Sequence, residues 1–295
     1  MSEQSEPQAE RASLSHTQLG PSDGRRVWVL HGIMGSKQNW SRFARRLSEA
    51  RPELSITSID LRCHGETPHV GGPHGVEACA RDLIALAEQI GAPHTVIGHS
   101  FGGKVALQYA ALSSDTELDT ALDTALDTAL DTVWTLDSTL ATRLAPGHGE
   151  VARVIQACGE IELPKPSRKD VTAYFTERGF SMGIAQWMTT NLRRLTTDEE
   201  LARGESGFVW RFDLEGIEAL IADYWRVDGW ALLQKIPTSI SLNLLRAERG
   251  LRWSDEDAAR LEREVPHARS PLLLNSGHWV HIEQLEALIE MLKPL

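Results

Sequence analysis

Hydrophobic positions along the chain fall into short unbroken runs that alternate with longer stretches of helical spacing. The first strong run, "RRVWVLHG" at 25–32, holds an unbroken apolar stretch from Val27 to Leu30 and ends in His-Gly, the pattern of a short buried strand. "SKQNWSRFARRLSEARP" then places Trp40, Phe43 and Leu47 on one helical face, opens on an N-capping serine and stops at Pro52. "LSITSIDLRCHGET", 54–67, predicts a strand and a polar loop, and "GVEACARDLIALAEQIGAP", 75–93, an amphipathic helix stopped by Gly91. "HTVIGHSFGGKVALQYAAL", 94–112, predicts strand, sharp turn and helix, and "VWTLD", 133–137, a further strand.

The alternation then stops. Residues 138–236 hold helical stretches such as "RKDVTAYFTERGF" and "GIAQWMTTNLRRL", and Trp187, Trp210, Trp225 and Trp230 all fall among them. "TSISLNLLR", 238–246, resumes the strand pattern, followed by a helix at "DEDAARLEREV", a strand at "SPLLLN" and a closing helix at "VHIEQLEALIEMLKPL". Repeated βα units imply right-handed crossovers, and so an α/β fold with a mainly parallel, doubly wound sheet. The core is expected over 25–137 and 237–295, with 138–236 as a helical lid over the strands' C-terminal ends, where such sheets bind ligands. Residues 1–24, beginning "MSEQSEPQAERASLSH", have neither the basic start nor the apolar core of a signal peptide. They read as a mobile tail with room for a short edge strand.

Composition narrows the function classes. A formal charge of −11 argues against nucleic acid as a partner, and no apolar run of about 18 residues is present to span a bilayer. Cys63, Cys79 and Cys158 are odd in number, widely spaced and form no CxxC, which argues against a disulfide framework and a zinc site and fits a reducing cytoplasm. Part of the acidity comes from "TELDTALDTALDTALDT", 116–132, a period-four repeat. A step of four residues advances about 400° around a helix, so its leucines form a slowly drifting stripe. The repeat reads as a surface insertion in the core; the competing reading is a partner-binding helix.

Three motifs carry chemistry. "GHSFG", 98–102, sits between a strand and a helix, where its glycines permit a turn that lifts the Ser100 hydroxyl to a helix N-terminus, the arrangement of a nucleophile. "HGIMGS", 31–36, follows the first strand, and the amides of Ile33 and Phe101 make a pair of oxyanion donors worth roughly 3 kcal/mol each. "NSGHWVH", 275–281, places His278 on a loop before the closing helix as general base; His281 competes but falls within or beside that helix. His31, His64 and His99 lack the cysteine or paired-carboxylate support of a metal site, so no metal is expected.

In chain order these motifs, with "DLRCHGET", "GHSFGGKVA" and "GHWVH", resemble the α/β-hydrolase superfamily over residues 25–295, in the esterase-like branch of small bacterial acyl esterases and plant α/β hydrolases. The resemblance implies a Ser-His-acid triad, an acyl-enzyme and no cofactor. It also raises a difficulty. Where many members carry the acid after the late strand, "LLRAERGLRW" offers Gly250. Glu248, two residues earlier, is one candidate; Asp137, ending "VWTLD", is the favoured one, because a carboxylate at the end of a buried strand needs a partner and His278 is a natural one. Asp255 and Asp257 read as first-turn helix acids.

The expected function is therefore hydrolysis of a small-molecule acyl ester or thioester by Ser100, His278 and Asp137, in a cytoplasmic monomer or homodimer. His31, Met34, Trp187, Trp210, Trp225 and Trp279 are candidates for the substrate pocket, while Arg62 and His64 are expected to brace their loop. The same fold and triad also serve C–C hydrolysis, lyase and cofactor-free oxygenase chemistry, and a pocket without turnover would make a ligand receptor.

Overall fold

The computed structural model describes residues 10–114, 130–142, 149–250 and 253–294. Residues 116–129 of the repeat, and with them the question of a partner-binding helix, lie outside the described residues.

Seven strands form one sheet in the order β1-β3-β2-β4-β5-β8-β9. They are β1 (His16–Leu19), β2 (Arg25–Leu30), β3 (Leu54–Ile59), β4 (Thr95–His99), β5 (Thr132–Leu136), β8 (Ser241–Ala247) and β9 (Leu272–Leu273). β1 runs antiparallel to β3; the other pairs are parallel. The edge strand allowed for in the N-terminal segment is thus β1. Ala12 and Leu14 just before it are buried, and Ala12 N–H donates to Asp82, so the chain is tied down well before residue 25.

Side chains alternate between the two faces of the sheet, as a period of two requires. Val27 and Val29 join Ile97, Leu54 and Leu245 in one core, closed by α1 (Ser41–Ala50) and the C-terminal helices. Trp28 and Leu30 join Val96, Val133 and Leu244 in the other, closed by α2 (Val76–Ile90) and α3 (Phe101–Leu112). Burial on both faces explains why a strand such as β2 reads as an unbroken apolar run, Val27–Leu30.

The inserted segment contributes α4 (Glu150–Glu160), α5 (Arg168–Glu177), α6 (Met182–Thr190), α7 (Thr197–Arg203), α8 (Leu214–Arg226) and α9 (Gly229–Leu233). It is not wholly helical: β6 (Leu192–Arg194) and β7 (Phe208–Trp210) pair antiparallel within it. Its contacts with the core include Asn191 Nδ2 donating to Met34 O and the Trp187 and Trp279 rings 5.7 Å apart. Each of these core partners stands beyond the C-terminal end of a strand.

Beyond β8, α10 (Asp255–Glu264) is capped by Ser254, which accepts from Asp257 N–H, in keeping with first-turn acids. The closing helix is broken at Gln284 into α11 (Val280–Glu283) and α12 (Leu285–Leu292).

Candidate active site

Register sets the site. His99 aligns with Leu136 and Leu136 with Leu245, so Ser100 and Asp137 leave neighbouring strands at the same level. Ser100 N–H donates to Leu136 O at 3.0 Å, and Asp137 N–H to Leu245 O at 2.9 Å. On its other side β4 pairs with β2, at the point where the chain order reverses, which brings the loop after β2 against Ser100.

Ser100 has φ 51 and ψ −113, a conformation that costs a non-glycine residue on the order of 1–3 kcal/mol. The tightness of the turn is visible in its glycines. A Cβ on Gly98 would lie 2.7 Å from Gly103 N, one on Gly102 would lie 2.5 Å from His31 O, and one on Gly103 would lie 2.5 Å from Ser138 Cβ. A Cβ on Gly32 would lie 3.4 Å from Ser100 Cβ, so the His-Gly loop runs beside the serine. The amides of Ile33 and Phe101 flank this contact in sequence, and neither donates to an acceptor among the described residues.

Of the two carboxylates in contention, the structure brings Asp137 to the histidine. His278 Nδ1 donates to Asp137 Oδ2 at 2.7 Å, and Ala247 N–H donates to Oδ1 at 3.3 Å. Asp137 is 1% exposed and has φ 46. Glu248 is exposed and accepts instead from Asn275 N–H at 2.7 Å. Gly250 acquires a physical reason: a Cβ there would stand 2.7 Å from Asp137 Oδ2, 2.8 Å from Cγ and closer still to Oδ1. The Asp137 carboxylate fills the space that a side chain at 250 would enter.

The loop bearing His278 is held from three sides. His99 Nε2 donates to the His278 carbonyl at 2.7 Å. Gly277 N–H and Trp279 N–H, on either side of the histidine, donate to the Glu283 carboxylate, which also pairs with Arg249 at 3.0 Å. Sequence reading missed His99 and Glu283 in these positions; the signal was there, since His99 stands inside the Gly-x-Ser-x-Gly motif and Glu283 one helical turn past Trp279. His281 lies in α11, stacked on Trp40 at 4.1 Å, and burial followed by the nearby His278 pushes its pKa down to about 3. It is a neutral packing residue.

His31 and His64 are backbone staples. Leu61 N–H donates to His31 Nε2 and Met34 N–H to His64 Nε2, while their Nδ1 atoms donate to Gly32 O and Arg62 O. Burial lowers both pKa values, so each ring is neutral in one tautomer. His31 therefore uses both nitrogens on main chain, which removes it as a polar pocket group. Arg62 is also a brace, bidentate to Asp82 at 2.7 and 2.8 Å with both side chains buried.

Among the other pocket candidates, Trp210 stacks on Phe212 and donates to Cys158 O, a place in the interior of the inserted segment rather than at the histidine. Trp225 packs edge-on against Tyr224. Met34 is fully buried beneath the segment. Trp187 and Trp279 do meet, beside His278. Lys104 on α3 is buried and sends Nζ to the carbonyls of Ala141, Tyr224 and Val227 at 3.1, 2.9 and 2.8 Å, binding the helix that follows Ser100 to the inserted segment.

A mainly parallel sheet whose fourth strand turns through a strained serine into a helix defines the α/β class of hydrolase folds. Comparison with known proteins agrees. The model of the alpha/beta hydrolase family matches residues 29–291, and the chain belongs to that family. It is 25% identical over 285 residues to the sn-1-specific diacylglycerol lipase ABHD11 of Danio rerio, covering 93% of this chain and 80% of the relative. It is 26% identical over 276 residues to esterase YbfF of Escherichia coli K12, covering 90% and 91%. A solved marine microorganism esterase superposes with a TM-score of 0.77 at 21% identity over 95% of this chain and 98% of its own, a likeness of fold. These relatives are esterases and lipases, which supports a hydrolase acting on esters.

Proposed function

We propose that the protein is a serine hydrolase that cleaves a carboxylic ester, with thioesters as the neighbouring substrate class, through Ser100, His278 and Asp137. The observation that carries this reading is the 2.7 Å bond from His278 Nδ1 to the buried Asp137, at the same strand-end level as the strained Ser100. With Nδ1–H committed to the carboxylate, the lone pair of the imidazole is on Nε2. His278 Nε2 takes the Ser100 proton as Oγ attacks the acyl carbonyl, and the imidazolium returns that proton to the leaving alcohol or thiol. Water then attacks the acyl-enzyme with His278 again as base, releasing the acid and restoring Ser100. The Ile33 and Phe101 amides receive the oxyanion in both halves. Trp187 and Trp279 supply an apolar wall for the acyl group of a small-molecule substrate. The esterase and lipase names of the full-length relatives favour the oxygen ester.

The test is labelling by an alkyl phosphonate together with p-nitrophenyl ester turnover. Ser100 is expected to carry the label and Ser100→Ala to lose both. Asp137→Asn is expected to lower kcat by about 10⁴-fold with the fold intact, by analogy with a triad aspartate elsewhere, and Glu248→Gln to change it less than about threefold. The reverse ranking, or a folded protein that takes no label, refutes the assignment.

A further inference from the structure

The loop after β3 carries a second cluster of ligating side chains that ester chemistry does not use. One donor atom from each of Cys63, His74 and Asp213 lies within 4.8 Å of the other two. Cys63 Sγ stands 3.4 Å from His74 Nδ1, and Asp213 Oδ2 stands 3.2 Å from Nδ1 of His69. Tetrahedral zinc, with sulfur at about 2.3 Å and nitrogen or oxygen at about 2.0–2.2 Å, separates neighbouring donors by roughly 3.3–3.6 Å. The Cys63–His74 edge falls within that range, and the Asp213 oxygen lies within 4.8 Å of both.

The backbone around the cluster is shaped to it. Cys63 has φ 64, a left-handed conformation uncommon for a residue that carries a side chain. Asp213 occupies the N-cap position of α8, yet its carboxylate makes no cap hydrogen bond and faces Cys63 and His69 instead. Its amide donates to Cys63 O at 3.0 Å, which fixes the two donors relative to each other. Gly216, in the first turn of α8, leaves the necessary room: a Cβ there would stand 2.8 Å from Asp213 Oδ2 and closer still to Cys63 Sγ.

We propose that Cys63, His74 and Asp213 form a zinc-class divalent metal site, with His69 as the fourth ligand. His69 is the nearest further donor, its exposed ring meeting Asp213 Oδ2 through Nδ1 at 3.2 Å. One thiolate and one carboxylate with two neutral imidazoles cancel the charge of a divalent ion, and a mixed S/N/O set selects zinc over magnesium or calcium. The thiol proton goes to solvent as the metal–sulfur bond forms. Cys63, His69 and His74 belong to core loops and Asp213 opens the last long helix of the inserted segment, so the bound ion cross-links the two. Four protein ligands leave no open position, which makes the site structural. Cysteine spacing concealed it, because the donors run from residue 63 to residue 213 and meet only on folding.

The experiment uses the full chain, stripped with a chelator, then titrated with Co²⁺ as a spectroscopic probe and with Zn²⁺ by calorimetry. One equivalent of Co²⁺ is expected to give a thiolate-to-cobalt band and visible tetrahedral bands, both displaced by Zn²⁺. Cys63→Ser is expected to abolish the thiolate band. Asp213→Asn and the surface change His69→Ala are expected to weaken Zn²⁺ binding by tenfold or more while the protein stays folded. Ester turnover by the stripped protein is expected to persist, so this test stands apart from the hydrolase assignment. Absence of the thiolate band in the unsubstituted protein overturns the proposal, as does Zn²⁺ affinity unchanged by both Asp213→Asn and His69→Ala.

Discussion

Gly250→Ala isolates the steric link between the late loop and the proposed acid. The added Cβ would sit 2.7 Å from Asp137 Oδ2 and 2.8 Å from Cγ, against a carbon–oxygen contact distance of about 3.3 Å or more. Asp137 or the loop must then shift by roughly half an ångström to one ångström, and neither is free to do so. The carboxylate is clamped by His278 Nδ1 and Ala247 N–H, and Gly250 N–H is tied to Ala247 O at 3.0 Å. Overpacking of this kind costs about 1–3 kcal/mol, and a misplacement near 1 Å at a catalytic group costs on the order of 10²-fold in rate. The expected outcome is a fall of about 10²-fold in kcat for p-nitrophenyl esters, with KM much less affected and a Tm lowered by a few degrees. A companion variant sharpens the point. An aspartate holds its carboxylate oxygens about 2.4 Å from its own Cβ by standard geometry, close to where Asp137 Oδ2 lies from a Cβ at 250. Asp137→Ala combined with Gly250→Asp is therefore expected to regain at least tenfold of the activity lost in Asp137→Ala alone. Active-site titration with a phosphonate keeps folding losses out of the rates. Unchanged kcat in Gly250→Ala, or no recovery in the double variant, would refute the reasoning.

Three further side chains each carry an expected outcome. Lys104→Met strips three backbone carbonyls of their shared cation and is expected to destabilise the protein by about 3 kcal/mol in urea titration. His281 is held neutral, so below pH 6.5 the unfolded chain binds a proton that the folded protein refuses until about pH 3. Its contribution is whole above 6.5 and lost as pH falls through that window; His281→Phe, which keeps the stack on Trp40, is expected to flatten the acid limb of a Tm–pH curve. Trp187→Ala is expected to raise KM severalfold for longer acyl chains while leaving acetyl esters within twofold, read from a chain-length series.

Much of this architecture is legible in the sequence, because strands such as Val27–Leu30 are buried on both faces and show as unbroken apolar runs. Other parts are not, for physical reasons. The strand expected at "SPLLLN" is present but shrinks to Leu272–Leu273 at the sheet edge, and Gln284 interrupts a helix whose composition gives no warning. β1 follows a polar segment and is specified by pairing with β3 rather than by its own pattern. The choice between Asp137 and Glu248 turns on space rather than on residue type: Gly250 matters for what its missing side chain leaves open, and no one-dimensional pattern displays a volume. His31 read as a pocket group because its Nδ1 and Nε2 bonds are to main-chain atoms, which a sequence does not show.

The bond from His99 to the His278 carbonyl has a consequence for how this chain tolerates change. His99 is the last residue of the strand that presents Ser100, and its partner lies 179 residues further on. Everything that differs most in character from the core, the four-residue repeat and the whole inserted segment, falls between those two points. The separation of Ser100 and His278, the proposed nucleophile and base, is thus bridged locally by this bond together with those from Asp137 and Glu283, whatever the length of chain between them. Insertions that loop out between the strands of that interval leave Ser100, Asp137 and His278 in place, so new substrate preferences can be tried without rebuilding the proposed chemistry.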